Sequence, residues 1–382
     1  MRTSDIQFPL KMDCFEQPIT FESEQASSLT LDYSWKQNVN TSIKARKASV
    51  MLKTITKIQD LPSKTITFET TTQNSHSQTK MSKILAVFGA TGQQGSSVIK
   101  NVLTDPFLSQ AYTIRAITRD TASSASQRLS EKVSIVHGDA TDRNSLLTAL
   151  TSVHTVFIMT TPDFSSNAVE VEYRNGKTIV DAAIEMGVQY IIFSTLPIYT
   201  KVTAFDAKAK IEQYIRELPI KSSFISLGSF MENFQAQAFL APQPANDGTW
   251  VISRHTSAKM PFPLLDAVGD AGKFVSAILA EPEKYKGKIF CAAAKIYTME
   301  EIVAALSKSS GKTIVYKQIS EGEFKGSMAF AAEMFTEYFS FCEEFGYWGP
   351  GSEEKVVWAG ENARGRLSTL EEFLEAHPFQ LD

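Results

Sequence analysis

The chain has 382 residues, of which 43% are hydrophobic and 21% charged, and its formal net charge is −4. This composition is ordinary for a globular protein, and the slight acidic excess excludes a global basic field for nucleic acid or an anionic membrane. The three cysteines form no Cys-x-x-Cys pair and the five histidines lack metal-ligand spacing, so we expect a reducing compartment and no bound metal. No apolar run approaches the roughly 18 residues of a membrane helix.

Residues 1–80 differ from the rest of the chain, since they contain no glycine and are rich in serine and threonine. Such a segment buries little apolar surface, and we expect it to be disordered or non-essential. The acidic residues Asp5 and Asp13 and the lack of an apolar stretch argue against a secretory or mitochondrial signal. Met81 stands directly before the first patterned segment and is an alternative translation start.

The most informative motif begins directly after the apolar run of residues 84–88. Its residues are Gly89, Ala90, Thr91, Gly92, Gln93, Gln94 and Gly95. A helical pattern follows at once. A strand, a glycine turn and a helix N-terminus form a site for a dinucleotide diphosphate, because glycines let the backbone approach and the helix end offers free N–H groups. A tight turn without a ligand is the alternative.

From residue 83 onward, short apolar runs alternate with helical patterns. We predict strands at 83–88, 112–118, 133–137, 153–159, 188–194 and 222–227, and helices at about 93–104, 122–130, 142–150, 167–186 and 204–217. Asp142 is expected to cap the third helix and Gly187 to end the fourth. This alternation is typical of an α/β fold, here a Rossmann-type doubly wound parallel sheet over residues 82–240.

After residue 228 the pattern loosens, with predicted loops at 241–248 and 260–263. We expect helices near 266–280, 298–309, 320–345 and 368–376, with strands near 287–292 and 313–318. Residues 241–382 are predicted to form a smaller α+β lobe for a substrate or a partner. We place it across the carboxyl ends of the strands, where ligands bind in open α/β sheets. The sheet and this lobe are expected to form one unit over residues 82–376.

Several short motifs together resemble the NmrA-like family, whose proteins are atypical members of the short-chain dehydrogenase group. These motifs are the glycine run and residues 118–120, 137–140, 157–161, 176–177, 205–208 and 229–234. The likeness covers roughly residues 82–376 and is nearest to the branch of NADPH sensors and fungal oxidoreductases. The resemblance implies a Rossmann fold with NADP(H) as cofactor.

The resemblance also implies a cofactor role for each matched position. The glycine run would hold the diphosphate. The other implied contacts are Arg119 at the adenosine ribose phosphate, Asp139 and Ala140 beside the adenine, Thr160 and Thr161 towards the nicotinamide, Lys208 at the nicotinamide ribose, and Phe230, Met231, Glu232 and Asn233 over the nicotinamide end. The alternatives are that Lys208 is a solvated surface lysine and that Asp139 simply ends a strand.

The end of the second predicted strand favours NADP over NAD. An NAD site usually places an acidic side chain there, to accept a hydrogen bond from the ribose 2′-hydroxyl. Arg119 occupies that end here, and a guanidinium suits a 2′-phosphate. Asp120 is the competing group, since it could turn inward and take the acidic role.

The catalytic residues are unknown from the sequence. Short-chain dehydrogenases use Tyr-x-x-x-Lys, in which the lysine lowers the pKa of the tyrosine that passes a proton. Tyr173 and Lys177 have this spacing, but they fall one βα unit too early, and we interpret them as a coincidence. Four residues before Lys208 stands Ala204, which cannot donate a proton. The remaining weak candidates are Tyr199 and Ser194.

We therefore expect an NADP(H)-dependent oxidoreductase that acts on a small organic molecule by hydride transfer. The alternative is a non-catalytic protein that reports the NADPH to NADP⁺ ratio to a regulatory partner, for which the absent tyrosine is expected. We expect a cytoplasmic location, extending to the nucleus in the regulatory case, with no direct binding to nucleic acid or to a membrane.

Overall fold

A computed structural model describes residues 82–161, 167–197, 203–237 and 239–381. The N-terminal segment 1–80, the alternative start at Met81 and the candidate Tyr199 lie outside the described residues. Within those ranges, no helix combines the length and the apolar character needed to cross a membrane. In the same part of the chain, no group of three or more His, Cys, Asp or Glu side chains is placed to hold a metal ion.

Strands and helices alternate along most of the chain. The strands are β1 (Lys83–Phe88), β2 (Tyr112–Thr118), β3 (Ser134–His137), β4 (Thr155–Ile158), β5 (Tyr190–Thr195), β6 (Lys221–Leu227), β7 (Ser229–Phe230), β8 (Gln243–Pro244), β9 (Trp250–Arg254), β10 (Pro261–Leu265), β11 (Ile289–Ala292), β12 (Lys295–Thr298) and β13 (Ile314–Gln318). The helices are α1 (Gln93–Thr104), α2 (Leu108–Ala111), α3 (Ser124–Ser130), α4 (Arg143–Leu150), α5 (Ala168–Glu185), α6 (Thr203–Glu217), α7 (Asn233–Ala236), α8 (Ala267–Ala280), α9 (Met299–Ser310), α10 (Glu321–Ser327), α11 (Ala332–Phe345), α12 (Ser352–Asn362) and α13 (Leu370–Ala376).

The main sheet of the described chain has seven strands in the order β11-β6-β5-β4-β1-β2-β3, and all neighbouring strands are parallel. The predicted Rossmann-type doubly wound fold is therefore confirmed. Because β1 lies between β2 and β4, the chain crosses to the other half of the sheet after β3. This reversal opens a crevice at the carboxyl ends of β1 and β4, where such folds bind ligands.

The sheet is buried on both faces, as β1 illustrates. Leu85 and Val87 pack in one core with residues of α1 and α8, whereas Ala86 and Phe88 pack in another with residues of α4, α5 and α6. Successive side chains of a strand point to opposite faces, so an unbroken apolar strand requires helices on both sides. The apolar run before the glycine turn therefore forms a strand in the interior of the main sheet, covered on both faces.

Residues beyond 240 take part in the main sheet as well as in the smaller lobe. β11 pairs with β6 and forms one edge of the sheet. Helix α8 packs along α1 more extensively than any other pair of helices in the described residues. The helix that follows the glycine turn is therefore held in place by a segment far along the chain.

The smaller lobe contains two three-stranded sheets, β12-β10-β7 and β13-β9-β8, around a largely aromatic core. Phe262, Tyr297 and Phe339 are among its fully buried side chains. The predicted loop at 260–263 is wrong, because these residues begin strand β10. A proline has no N–H to donate to a neighbouring strand. Strand β10 tolerates Pro261 and Pro263 because it pairs with β7 only from Leu264 onward, so the edge that faces β7 needs no donor at the two prolines.

The predicted loop at 241–248 contains the short strand β8, and the other predicted elements agree with the structure with small shifts at their ends. Both predicted helix-end signals are confirmed. The Asp142 carboxylate accepts hydrogen bonds from N–H groups in the first turn of α4, and Gly187 follows α5 with φ of +73°. The predicted helix at 320–345 is instead two helices, α10 and α11, separated by a break in which Ala331 has φ of +51°. Helix α12 was not predicted.

Candidate functional site

The glycine turn joins β1 to α1 through a tight loop. Gly89 has φ of +64°, a conformation that side chains disfavour, and its carbonyl accepts a 2.9 Å hydrogen bond from the N–H of Gly92. A Cβ on Gly95 would overlap the same carbonyl. The first and third glycines are therefore required by the turn itself and by the close approach of the helix to the strand.

The N-terminus of α1 offers unfilled hydrogen-bond donors to the crevice. Its N-cap residue is Gly92, which has no side chain to cap the helix, and the first turn holds no acidic residue. An anion fits such a helix end, because free N–H groups and the positive end of the helix dipole both face it. These features match the diphosphate of a dinucleotide.

The glycine turn lies beside the end of β4. A Cβ on Gly89 would come within 2.5 Å of the Met159 sulfur, so these two segments are in direct contact. Met159 immediately precedes Thr160 and Thr161, the residues expected on the path to the nicotinamide. Thr160 is buried and Thr161 is exposed. The turn and the expected nicotinamide end therefore meet at the crevice between β1 and β4.

At the end of β2 both Arg119 and Asp120 are exposed, but one carboxylate oxygen of Asp120 is engaged within the protein. One carboxylate oxygen of Asp120 accepts hydrogen bonds from the N–H groups of Ala122 and Ser123, at 2.9 and 3.1 Å, and so forms the turn that leads into α3. Arg119 is exposed and has no ion pair among the described residues, while its carbonyl lies 3.1 Å from Nδ1 of His137. This arrangement favours a cationic contact at the ribose position.

Asp139 follows β3 at the same edge of the sheet, with Ala140 beside it. Its carboxylate accepts hydrogen bonds from the N–H and the hydroxyl of Thr141, both at 2.8 Å, and these bonds lower the pKa of Asp139. The charge of Arg119 lowers that pKa further, and strands β2 and β3, which these residues follow, are neighbours in the sheet. The residues expected around the adenosine therefore gather on one side of the glycine turn.

Lys208 is buried, which excludes the solvated lysine considered as an alternative, whereas Lys210 on the same helix is exposed. Its Nζ donates to the Thr160 carbonyl at 2.6 Å, to the Thr160 hydroxyl at 2.7 Å and to the carboxylate of Glu172. Burial lowers the pKa of Lys208, and the charge of Glu172 opposes that effect. A buried ion pair thus stands at the carboxyl end of β4, next to the crevice.

Glu172 is the residue of this cluster that sequence reasoning missed. It lies on α5, and the only signal for it was its position four residues before Gly176, one of the family-like motifs. A Cβ on Gly176 would overlap Ile211 of α6 and crowd Thr160, so glycine permits the two helices to approach. This close packing brings the carboxylate on α5 within reach of the lysine on α6.

The segment that begins at Phe230 is tied to the smaller lobe and to α8. Phe230 is half-buried and pairs with β10, Met231 is buried, and Asn233 begins α7. The Glu232 carboxylate accepts from the N–H groups of Ala267 and Val268, at 3.2 and 2.9 Å, at the start of α8. Burial raises the pKa of Glu232. This carboxylate therefore positions the segment and is already bonded within the protein.

The candidates for proton transfer are not brought together by the described residues. Ser194 is buried within β5. Lys177 donates to Asp181 at 2.7 Å and to the hydroxyl of Tyr214 at 3.0 Å, so its partners lie on α5 and α6 and the Tyr-x-x-x-Lys spacing with Tyr173 forms no pair. No catalytic residue is therefore identified among the described side chains.

Comparisons with known proteins agree with this architecture. The model of the NmrA-like family matches residues 81–374. The NmrA-like family domain-containing oxidoreductase lnaB of Aspergillus flavus is 29% identical over 257 residues, which cover 62% of this chain and 76% of that relative.

Two solved structures share the fold. One is NmrA, a negative transcriptional regulator, in complex with NADP, with 22% identity and a TM-score of 0.63, covering 76% of this chain and 94% of that one. The other is triphenylmethane reductase of Citrobacter sp. complexed with NADP(H), with 20% identity and a TM-score of 0.62, covering 76% and 99%. Because the family model matches more than half of this chain, the chain belongs to the NmrA-like family.

Proposed function

We propose that this protein is an NADP(H)-dependent oxidoreductase that acts on a small organic molecule by hydride transfer. The observation that carries the proposal is that two features border one crevice. The glycine turn before the open N-terminus of α1 touches Met159, and the buried Lys208 bonds the next residue, Thr160, at the end of β4. The names of the fungal relatives and the NADP in the similar solved structures support it.

Each part of the cofactor has a matching group in this chain. The N–H groups of residues 89–95 would hold the diphosphate, and Arg119 would pair with the 2′-phosphate. Asp139 and Ala140 would flank the adenine, while Thr160, Thr161, Lys208 and residues 230–233 would surround the nicotinamide half. The bound cofactor would supply the hydride.

The protein's own residues would contribute orientation and a dry environment. Met231 and Phe234 are buried beside the expected nicotinamide end, and Lys208 brings a fixed positive charge there. Ala204 stands where a short-chain dehydrogenase has its tyrosine, so the proton must come from another group. Ser194 and Tyr199 stay our candidates, and a proton relayed from the substrate or water would serve as well.

Calorimetric titration of the full chain with NADP⁺ and with NAD⁺ tests the cofactor site, and Gly92→Ala is the matched variant. The backbone of Gly92 has φ of −86°, which alanine adopts, and its Cβ would lie 3.3 Å from the Gly89 carbonyl. The fold should tolerate this change with a small shift of that carbonyl, since 3.3 Å is a tight contact for a Cβ. The added methyl group hinders approach of the diphosphate. We expect at least about tenfold weaker NADP⁺ binding with a change in unfolding free energy below about 1 kcal/mol. Equal affinity of the two proteins would place the cofactor elsewhere.

Stopped-flow loss of NADPH absorbance against a panel of carbonyl and enoyl compounds tests the reaction. We expect turnover with at least one of these chemical classes. Tight NADPH binding with no turnover across the panel would count against an oxidoreductase.

A second candidate is a protein that reports the NADPH to NADP⁺ ratio to a regulatory partner. Ala204 favours this function, because a sensor needs the cofactor site but no proton donor. A ligand can bias such a switch only by binding two conformations unequally. Pull-downs from cytoplasmic and nuclear extracts, with NADPH, with NADP⁺ and with neither, should then capture a cofactor-dependent partner. A partner set indifferent to the cofactor would remove this candidate.

A further inference from the structure

We propose that Glu172 is a positioning residue for the cofactor. Its carboxylate accepts hydrogen bonds from the Lys208 ammonium group and the Thr160 hydroxyl, and so keeps the lysine charged and in place for the nicotinamide ribose. This inference rests on the proposed function and deepens it, since nothing in the sequence motifs assigns a role to Glu172. The residue acts through Lys208 and is not itself expected to touch the cofactor.

The hydrogen bonds of Lys208 indicate which of its partners must stay bonded when a cofactor binds. An ammonium group has three donors, and Lys208 uses them on the Thr160 carbonyl, the Thr160 hydroxyl and Glu172. A ribose hydroxyl can therefore be bound only if one of these partners is exchanged. The Thr160 hydroxyl is a neutral partner that also donates to Glu172, so it can give up the lysine and keep the carboxylate. The carboxylate carries the charge that balances the lysine. The contact with Glu172 is the one that must persist.

Burial explains why the lysine needs this partner. The side chains of Lys208 and Glu172 are 8% and 3% exposed. Removing an ammonium group from water disfavours its charged form, and an adjacent carboxylate restores it. Glu172 faces Lys208 from α5, and Thr160, which faces it from β4, carries no charge. Without the carboxylate, the lysine should lose its proton at a lower pH.

The test compares Glu172→Gln with Glu170→Gln, a matched change at an exposed position on the same helix. NADP⁺ affinity is measured from neutral to mildly alkaline pH, together with the affinity for adenosine 2′,5′-bisphosphate, which lacks the nicotinamide ribose. We expect Glu172→Gln to weaken NADP⁺ binding at least about tenfold, with a loss that grows as pH rises, and to leave the bisphosphate affinity within about twofold. Glu170→Gln should change neither affinity.

The outcomes separate this inference from the proposed function. Unchanged NADP⁺ affinity in Glu172→Gln across the pH range would overturn the role of Glu172 and leave the cofactor site standing. A wild-type protein that binds neither probe would overturn the proposed function itself.

If Glu172→Gln does not fold, two variants that lack the lysine decide the question. Lys208→Met is compared with the double variant Glu172→Gln/Lys208→Met, in which both charges of the buried pair are removed. Equal NADP⁺ affinity of these two variants means that Glu172 acts through Lys208. A further loss of NADP⁺ affinity in the double variant, at unchanged affinity for the bisphosphate, would mean that Glu172 does not act through Lys208.

Discussion

The backbone N–H of Gly272 donates a 2.9 Å hydrogen bond to the hydroxyl of Ser97, so α8 and α1 touch almost backbone to backbone. Ser97 is fully buried and lies in the first half of α1, directly after the glycine turn. A Cβ at position 272 would overlap the Ser97 carbonyl. The position of the helix end that is proposed to hold the diphosphate therefore depends on a glycine in a different helix.

Gly272→Ala should consequently weaken both folding and cofactor binding. The added methyl group must push the helices apart, which for overpacked cores costs about 1–3 kcal/mol of unfolding free energy. Urea denaturation measures that loss, and NADP⁺ titration measures the effect on the site. Gly322→Ala is the control, since a Cβ there would meet nothing within 4 Å, and it should leave the affinity unchanged. A Gly272→Ala protein as stable as wild type would show that α8 shifts freely.

The part of the site that follows from short-range sequence signals could be predicted. The apolar run, the glycine spacing and the cap residue Asp142 act within a few residues, so β1, the turn, α1 and the start of α4 were correctly assigned. The parallel pairing of the strands also follows from alternation, because parallel strands need crossover helices. Their order in the sheet was not predicted.

The rest of the site depends on contacts between distant segments. Glu172 and Lys208 are 36 residues apart, and nothing local marks either as buried. Their burial results from the close packing of α5 and α6 that Gly176 permits. Strand β10 was missed for a related reason: Pro261 and Pro263 argue against a strand, and only the late pairing with β7 makes them acceptable. The choice between Arg119 and Asp120 as the cofactor contact stays a prediction, since one oxygen of Asp120 is bonded in a turn while both side chains are exposed.

Arg119→Ala should change the choice between the two nicotinamide cofactors. The guanidinium is proposed to pair with the 2′-phosphate that only NADP carries, and hydrogen bonds to charged groups contribute about 1.5–3 kcal/mol. We therefore expect NADP⁺ affinity to fall roughly tenfold to a hundredfold, with NAD⁺ affinity nearly unchanged. Calorimetric titration of both cofactors measures the ratio. Arg128→Ala, which removes an exposed arginine of α3, is the matched control. An equal loss for both cofactors would remove Arg119 from the 2′-phosphate.

The buried cysteines should resist thiol reagents while the protein is folded. Cys291 and Cys342 are 4% and 0% exposed, and burial raises their pKa to about 11 and about 12. The reactive thiolate is therefore scarce at neutral pH and also shielded. In a Cys14→Ser protein, an aromatic disulfide reagent should label neither cysteine in buffer and both in denaturant. Fast labelling in buffer at neutral pH would indicate local opening around β11 or α11.

Glu232 should lower the free energy of unfolding as pH rises. A salt-bridged carboxylate, whose pKa is lowered by folding, has the opposite effect. Burial raises the pKa of Glu232 in the folded state, although its carboxylate accepts from two amides of α8. Below the ordinary pKa of a glutamate, the group is protonated in both states. As pH rises, the unfolded chain ionises first, so unfolding releases a proton and the free energy of unfolding falls until the folded carboxyl also ionises.

Glu232→Gln removes this titration, so the stability of wild type relative to the variant should decline as pH rises from mildly acidic towards neutral. Urea unfolding of both proteins at several pH values measures the difference. Glu300→Gln, at an exposed carboxylate in the first turn of α9, is the control and should show no comparable trend. A constant difference between wild type and Glu232→Gln would mean that the carboxylate is as well solvated through its amide partners as it is in water. In that case the carboxylate that holds the Phe230 segment to α8 would ionise over the same pH range as an ordinary glutamate.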